Sequence, residues 1–349
     1  MLIGPLRGDV SPLQYLEGMK LKEIGEFGLL RRIRSSLKDS QGKAVLGIGD
    51  DGAALKIAPG KLALFTLDTL VENTHFKWDY ASPGDVGWKA LAVNISDIAA
   101  MGGIPTYCVV GLGLSGTLKI DLVDGLYKGL KEIAARYRIG VVGGDVVRSS
   151  EFFISVCLLG EVAGGDICPR SGAKVGDLIF VTGELGAAAA GLICLNTVHV
   201  NLASRKREFL VQKHLRPSPR LKEGQWIAGK RLATAMIDIS DGLISDLSRI
   251  REESRVGAVL WEERIPMALP ARELARSIGK SPLDWALHGG EDYELLFTAS
   301  SDKKELLEQE ANFPVSCIGE VLEWGKGMVL KNGEGRLVRI EERGYNHLA

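Results

Sequence analysis

Leu62-Ala63-Leu64-Phe65-Thr66-Leu67-Asp68-Thr69-Leu70-Val71, followed by Pro83-Gly84-Asp85-Val86-Gly87-Trp88-Lys89-Ala90-Leu91-Ala92-Val93-Asn94-Ile95-Ser96-Asp97-Ile98-Ala99-Ala100-Met101, decides the fold class. The first run is apolar and β-branched, which reads as a strand. The second opens on Pro83 and Asp85, residues suited to a helix start. Its Trp88, Leu91, Ile95 and Ile98 recur at helical spacing, and Asp97 falls well away from that stripe, free to face a site. A strand leading into a long helix points to an α/β chain.

The pattern continues outward. A helix is expected at Phe27–Leu37, strands at Thr106–Leu114, Val141–Val147 and Phe152–Val162, and a helix at Ile120–Tyr137. This first α/β domain ends near Ala163, and the link begins at Gly164-Gly165-Asp166. Beyond it come strands at Asp177–Thr182, Ala258–Trp261 and Tyr293–Ala299. Helices are expected at Ala187–Leu195, Arg205–Leu215, Gln225–Leu232, Ala271–Ile278 and Lys303–Glu310, and another begins near Leu243. Lys331-Asn332-Gly333 signals a hairpin turn. Residues 1–20 form an extension, 21–163 the first domain and 164–349 the second. Two domains suit 349 residues at about 150 residues per domain.

The 43 basic and 44 acidic side chains nearly cancel, so no overall field draws the chain to nucleic acid or to an anionic membrane. No signal peptide and no apolar run of membrane-spanning length is present, which implies a cytoplasmic protein. Cys108, Cys157, Cys168, Cys194 and Cys317 lie far apart, without metal-ligand spacing, and read as free thiols.

Two familiar nucleotide signatures fail. Gly111-Leu112-Gly113-Leu114-Ser115-Gly116 has G-x-G-x-x-G spacing, but no acid ends the next strand about 20 residues on. Gly279-Lys280-Ser281 lacks the first glycine of a phosphate loop, since Leu274 stands in its place. Glycines instead gather beside acids, at Gly47-Ile48-Gly49-Asp50-Asp51-Gly52, Gly143-Gly144-Asp145 and Gly289-Gly290-Glu291-Asp292, and are expected to make tight turns that present carboxylates.

Asp68 is the hardest acid to dismiss, because a carboxylate in an apolar strand is costly unless paired or bound to a cation. Asp50, Asp51, Asp97, Asp145, Asp238 and Asp241 join it as candidates. Such carboxylates gathered together would select hard cations such as magnesium, which polyphosphate chemistry needs. Taken singly, Asp97 and Asp241 read more readily as helix caps or solvated turns. Arg170, in Arg170-Ser171-Gly172-Ala173-Lys174, has the donor fork for phosphate oxygens. His75 reads as a substrate contact or a partly buried ring.

The ordered motifs resemble the family of thiamine-monophosphate kinases, within the superfamily of aminoimidazole ribonucleotide and selenophosphate synthetases. They are Gly25-Glu26-Phe27, Gly47-Ile48-Gly49-Asp50-Asp51, Asp68-Thr69-Leu70-Val71, Lys89 to Gly102, Gly143-Gly144-Asp145, Arg170 to Lys174, His214-Leu215-Arg216-Pro217-Ser218-Pro219-Arg220, Asp238-Ile239-Ser240-Asp241-Gly242-Leu243 and Gly289 to Glu294. The resemblance runs from about Leu21 to the end. It implies direct in-line transfer from ATP to thiamine phosphate, and a homodimer whose first-domain mixed sheets join into a barrel. By position it implies magnesium at Asp51, Thr66, Asp68, Asp97, Asp145, Asp238 and Asp241. It further implies ATP contacts from Tyr127, Gly144, Asp145, Arg170 and Ser240, and thiamine-phosphate contacts from His75, Glu291 and Tyr345.

Two positions depart from the family pattern. Leu67 replaces a hydroxyl residue before Asp68, leaving only its backbone carbonyl as a donor to metal, and Val146-Val147 follows Asp145 where Thr-Thr or Thr-Val is usual. Other readings are ATP-driven activation of an amide or of selenide, and a nucleotide-binding regulator without catalysis. The first twenty residues lack the cysteine that selenide chemistry favours, and the retained acid set speaks against loss of catalysis.

Overall fold

The computed structural model describes residues 57–197 and 200–340, together with Lys20, Glu23, Leu29, Arg32, Ile33, Ser35, Ser36 and Leu37. Asp50, Asp51 and Tyr345 lie outside the described residues, as do 27, 28, 30, 31 and 34 of the helix expected at Phe27–Leu37, whose described residues Leu29, Arg32, Ile33, Ser35 and Ser36 are helical.

The first part of the chain folds as β1 (Lys61–Val71), α1 (Pro83–Ala100), β2 (Ile104–Leu114), α2 (Ile120–Tyr137), β3 (Gly140–Arg148) and β4 (Phe153–Ala163). Its four strands form an open mixed sheet in the order β1-β4-β2-β3, in which only the β2–β3 pair is parallel. One face is covered. Leu64 and Leu70 of β1, Val110 and Leu112 of β2, and Ile154, Val156 and Leu158 of β4 are buried there in one core with α1 and α2. The alternate positions Phe65, Leu67, Val109 and Val147 stand exposed on the other face.

Helix α1 starts with a capping box, in which the Ser82 side chain accepts from the Asp85 amide and the Asp85 side chain accepts from the Ser82 amide. The single apolar stripe expected from spacing understates its burial. Every residue from Val86 to Ala100 except Asp97 is buried. The reason is its position, packed against α2, the sheet and elements of the second half of the chain. The crossing with α2 is tight enough that a Cβ on Gly87 would lie 1.9 Å from the Leu126 carbonyl oxygen.

The second part adds β5 (Leu178–Thr182), α3 (Ala187–Asn196), α4 (Ser204–Leu215), α5 (Leu221–Gly229), β6 (Ala235–Asp238), α6 (Leu243–Ser254) and β7 (Val256–Trp261). It closes with α7 (Leu269–Ser277), α8 (Pro282–His288), β8 (Leu295–Ala299), α9 (Lys304–Glu310), β9 (Val315–Glu323), β10 (Met328–Lys331) and β11 (Leu337–Arg339). These strands form a seven-stranded mixed sheet in the order β11-β10-β7-β9-β5-β8-β6. At the hairpin between β10 and β11 the Asn332 side chain accepts from the Glu334 and Arg336 amides, bearing out the turn expected there.

Three expectations need correction. Gly143-Gly144-Asp145 lies inside β3 instead of forming a turn, because Gly144 allows the backbones to approach: a Cβ there would meet the Val110 carbonyl oxygen at 2.2 Å. The helix expected at Gln225–Leu232 starts earlier, at Leu221, and ends at Gly229. Strands β6 and β9 to β11 and helix α8 were not anticipated as elements. Gly111 and Gly113 sit within β2, where a Cβ on Gly113 would strike the Phe153 ring at 2.1 Å, so this glycine run serves strand packing.

Candidate functional site

Four carboxylates meet where α1 crosses between the two sheets. Asp68 projects from the covered face of β1, Asp97 from α1, Asp238 from the end of β6, and Asp241 from the turn before α6. Thr66 donates to Asp97, and Ser96 Oγ donates to Asp238 Oδ2 at 2.7 Å. Their mutual influence is visible in their acidities. Burial first, then Asp97 and Asp241, push the Asp68 carboxyl up to about 7. Asp97 is also raised by burial, against the opposing pull of Thr66 and Arg170. The fully buried Asp238 is raised well above the ordinary range, by burial and then by Asp97. Like charges crowded out of water resist ionising together. Such crowding is relieved where a cation neutralises it.

Two clefts flank this cluster and share Asp97 and Arg170. One, of about 1020 Å³, runs past Asp68, His75, Tyr80, Ser240, Asp241 and Glu291. The other, of about 450 Å³, is bordered by Thr66, Asp97, Arg170 and Asp238. Arg170 is exposed in the loop before β5, with its carbonyl accepting from Ser254 Oγ at 3.1 Å, so its guanidinium is available to an anion.

The turn bearing Ser240 and Asp241 is held from beneath. Asp246 Oδ2 accepts from the Ser240 amide at 3.0 Å and the Asp241 amide at 3.1 Å. Arg249 donates to Asp246 Oδ1 at 2.8 Å and also to Asp241. On the opposite wall, Glu291 Oε1 lies 2.6 Å from Lys89 Nζ, and its Oε2 lies 2.9 Å from His214 Nδ1. Burial opposes ionisation of Glu291, but Lys89 and His214 outweigh it and lower the carboxyl to about 2. His75 Nδ1 accepts from the Val71 amide at 3.0 Å and its ring borders the larger cleft.

The sequence expectations divide accordingly. Thr66, Asp68, Asp97, Asp238, Asp241, Arg170, Ser240, His75 and Glu291 gather at the clefts. Asp145 and Gly144 border neither. Asp145 pairs with Gly111 on the open face of the sheet, whereas Asp68 pairs with Val156 on the covered face. The two aspartates also sit on opposite edge strands, about 14 Å apart at three strand spacings. Tyr127 likewise borders neither cleft. It is buried on α2 and lines a smaller cavity of about 300 Å³ with Leu29, Arg32 and Lys128. Asp292 does not reach the cleft as a ligand, because both its oxygens accept amides at the start of α3, from Gly186 at 2.7 Å and Ala188 at 3.1 Å.

Among the described residues no three His, Cys, Asp or Glu side chains stand together as a group that could hold a metal ion. The donors present are hard oxygens, the type magnesium prefers, and the crowding at Asp68, Asp97 and Asp238 fits a divalent cation. Lys89, His214, Asp246 and Arg249 were missed as site residues. Lys89 carried a readable signal, a charge within the apolar run from Val86 to Val93, by the same logic that singled out Asp68.

Comparison with known proteins agrees with this geometry. Residues 49–162 match the family model described as AIR synthase related protein, N-terminal domain, and residues 174–331 match the C-terminal domain of the same description. The chain is 38% identical over 307 residues to a thiamine-monophosphate kinase of Bacillus subtilis, covering 86% of this chain and 93% of that protein. It is 36% identical over 335 residues to the one from Aquifex aeolicus, covering 94% and 100%. Among solved structures, the thiamine-monophosphate kinase of Stenotrophomonas maltophilia K279a superposes with a TM-score of 0.78 at 35% identity, covering 92% of this chain and 99% of that one. AaThiL complexed with AMPPCP and TMP gives a TM-score of 0.75 at 35% identity, covering 94% and 99%. With both halves of the chain matched and these relatives aligned over nearly their full lengths, the chain belongs to the AIR synthase related family and, within it, to the thiamine-monophosphate kinases.

Proposed function

We propose that the chain transfers the γ-phosphoryl group of ATP directly to thiamine phosphate, giving thiamine diphosphate and ADP. The observation that carries this reading is the convergence of Thr66, Asp68, Asp97, Asp238 and Asp241 with Arg170 between two clefts that meet at Asp97, in a chain of this family. One cleft takes the nucleotide phosphates and the other the acceptor. The acceptor oxygen is already ionised near neutral pH, so it attacks phosphorus without a strong base as the bond to the ADP oxygen breaks. Arg170 and Ser240 position the phosphate chain, while His75, Glu291 and Tyr345 contact thiamine phosphate. When bound at the aspartates, magnesium neutralises the charge spreading over the transferring oxygens.

The exposed Phe65, Leu67, Val109 and Val147, on a sheet whose edge strands β1 and β3 have no further strand partner among the described residues, support a homodimer in which two such faces close into a barrel. In that assembly Asp145 and Gly144 serve the nucleotide site of the second copy, because geometry keeps Asp145 from Asp68 within one chain. Tyr127 and Asp51 complete the nucleotide and metal contacts. We assign residues 21–163 to nucleotide and metal binding and dimerisation, 164–349 to the second domain, and the protein to the cytoplasm. Among the described residues no helix is long and apolar enough to cross a membrane. An ADP-release assay with thiamine phosphate, thiamine and an aminoimidazole-precursor amide as alternative acceptors tests the reading. Release stimulated by thiamine phosphate alone is expected, and stimulation by the amide alone overturns it.

A further inference from the structure

Three buried or half-buried ionisable groups from three separate parts of the chain converge on the wall of the larger cleft. Lys89 belongs to α1 and His214 to α4, and each is only 3% exposed. Glu291 follows Gly290 in the loop after α8, and 28% of its side chain stays open to the cleft. Its backbone is constrained as well. Glu291 has φ of 58°, in the left-handed region, and its amide donates to the Ser240 carbonyl at 2.7 Å. A non-glycine residue is held there only when its surroundings over-determine the conformation. An ammonium as buried as that of Lys89 requires a counter-charge, and a carboxylate gripped through both oxygens loses its freedom to rotate.

We propose that Lys89 and His214 are positioning residues that fix Glu291 as an oriented, ionised acceptor for the cationic, aminopyrimidine-bearing end of the acceptor molecule. This rests on the reading of Glu291 as a thiamine-phosphate contact. Each carboxylate oxygen has two lone-pair directions. Lys89 Nζ stands 2.6 Å from Oε1 and the His214 ring places Nδ1 2.9 Å from Oε2, which leaves further acceptor capacity on both oxygens for the cleft. Thiamine phosphate offers matching chemistry at the end away from its phosphate, in a positive thiazolium ring and an amino group that donates. Asp68, Asp97 and Asp241 line the same cleft as Glu291, so one molecule can meet both. The lowered pKa of Glu291 agrees with a carboxylate kept charged in this setting. Orientation fixed before binding lowers the ordering cost of association.

Steady-state kinetics of the full-length protein with ATP, magnesium and thiamine phosphate test this. Lys89→Met is expected to raise KM for thiamine phosphate by about tenfold, with KM for ATP changed less than about twofold and kcat little changed. Lys89→Arg, which keeps the charge, recovers most of the loss. The double variant Lys89→Met/Glu291→Gln is expected to match Glu291→Gln alone, because Lys89 acts through Glu291. That double variant buries no unpaired charge and decides the matter where Lys89→Met alone does not fold. Multiplying effects in the double variant, or equal rises in both KM values, overturn the proposal. An unimpaired Lys89→Met beside an impaired Glu291→Gln overturns the positioning role alone, whereas an unimpaired Glu291→Gln removes the reading of Glu291 on which it rests.

Discussion

At the scale of single residues, Asp68 joins the sequence argument to the structural one. A carboxylate in an apolar strand called for a partner, and among the described residues the charged groups that raise its pKa are Asp97 and Asp241. Its replacement by Asn keeps the shape and removes the charge. Asp68→Asn is therefore expected to reduce turnover by at least about a thousandfold at millimolar magnesium, leaving the circular dichroism spectrum and melting cooperativity unchanged. Activity within tenfold of the parent would remove Asp68 from the metal site. Leu67 is 64% exposed on the opposite face, so the loss of a hydroxyl there leaves the carboxylate geometry intact. Asp145 teaches the limit of residue-level reading. Its motif was legible, but its face and its edge of the sheet depend on pairings with β2 that no local pattern contains. Glu291 was legible as a loop acid, while the hold of Lys89 and His214 on it depends on contacts between distant elements.

At the scale of elements, α1 connects the parts of the site. It carries Lys89 to one wall, Ser96 to Asp238 and Asp97 to the meeting of the clefts, and its Trp88 Nε1 donates to the Pro217 carbonyl at 2.9 Å. Its depth is set by Gly87 against Leu126 and by Gly129 of α2 against Gly84, where an added Cβ would lie 1.8 Å from carbonyl oxygen. Gly129→Val is expected to force the helices apart, costing about 3 kcal/mol or more and lowering activity along with the melting temperature. A stability loss below about 0.5 kcal/mol in chemical denaturation would show that the crossing is not tight. Both long helices and the four strands of the first sheet were legible to within a few residues, because each is long and strongly patterned. Strands β6, β10 and β11 have four, four and three residues, too few for a period to register. Helix α1 misled in the other direction: as a helix buried on nearly every side it displays more than one apolar stripe.

At the scale of the whole molecule, the crowded carboxylates make stability depend on pH and on metal. Asp68, Asp246 and Asp292 are each pushed up to about 7, in every case first by burial. A folded-state value above the unfolded one means that the stabilisation is complete below about 4 and is lost as pH rises through about 7. His214, lowered by burial, acts in the opposite sense, but its effect falls below its ordinary 6.5. Between pH 6.5 and 8 the metal-free protein is therefore expected to lose on the order of 1 kcal/mol for each aspartate and to melt a few degrees lower. Magnesium is expected to raise the melting temperature more at pH 8 than at pH 6.5, and an equal rise at both would contradict the cluster. The open face supplies a separate test: Leu67→Glu, which is 64% exposed in the single chain, is expected to convert a dimer to monomer by light scattering. A dimer unchanged by it would place the interface elsewhere. The central claim concerns where the phosphoryl group goes, and ATP labelled in its γ-phosphate follows it directly. With magnesium and thiamine phosphate, the label is expected in the terminal phosphate of thiamine diphosphate, one for each ADP formed. Label released as inorganic phosphate, with thiamine phosphate unchanged, would contradict the account.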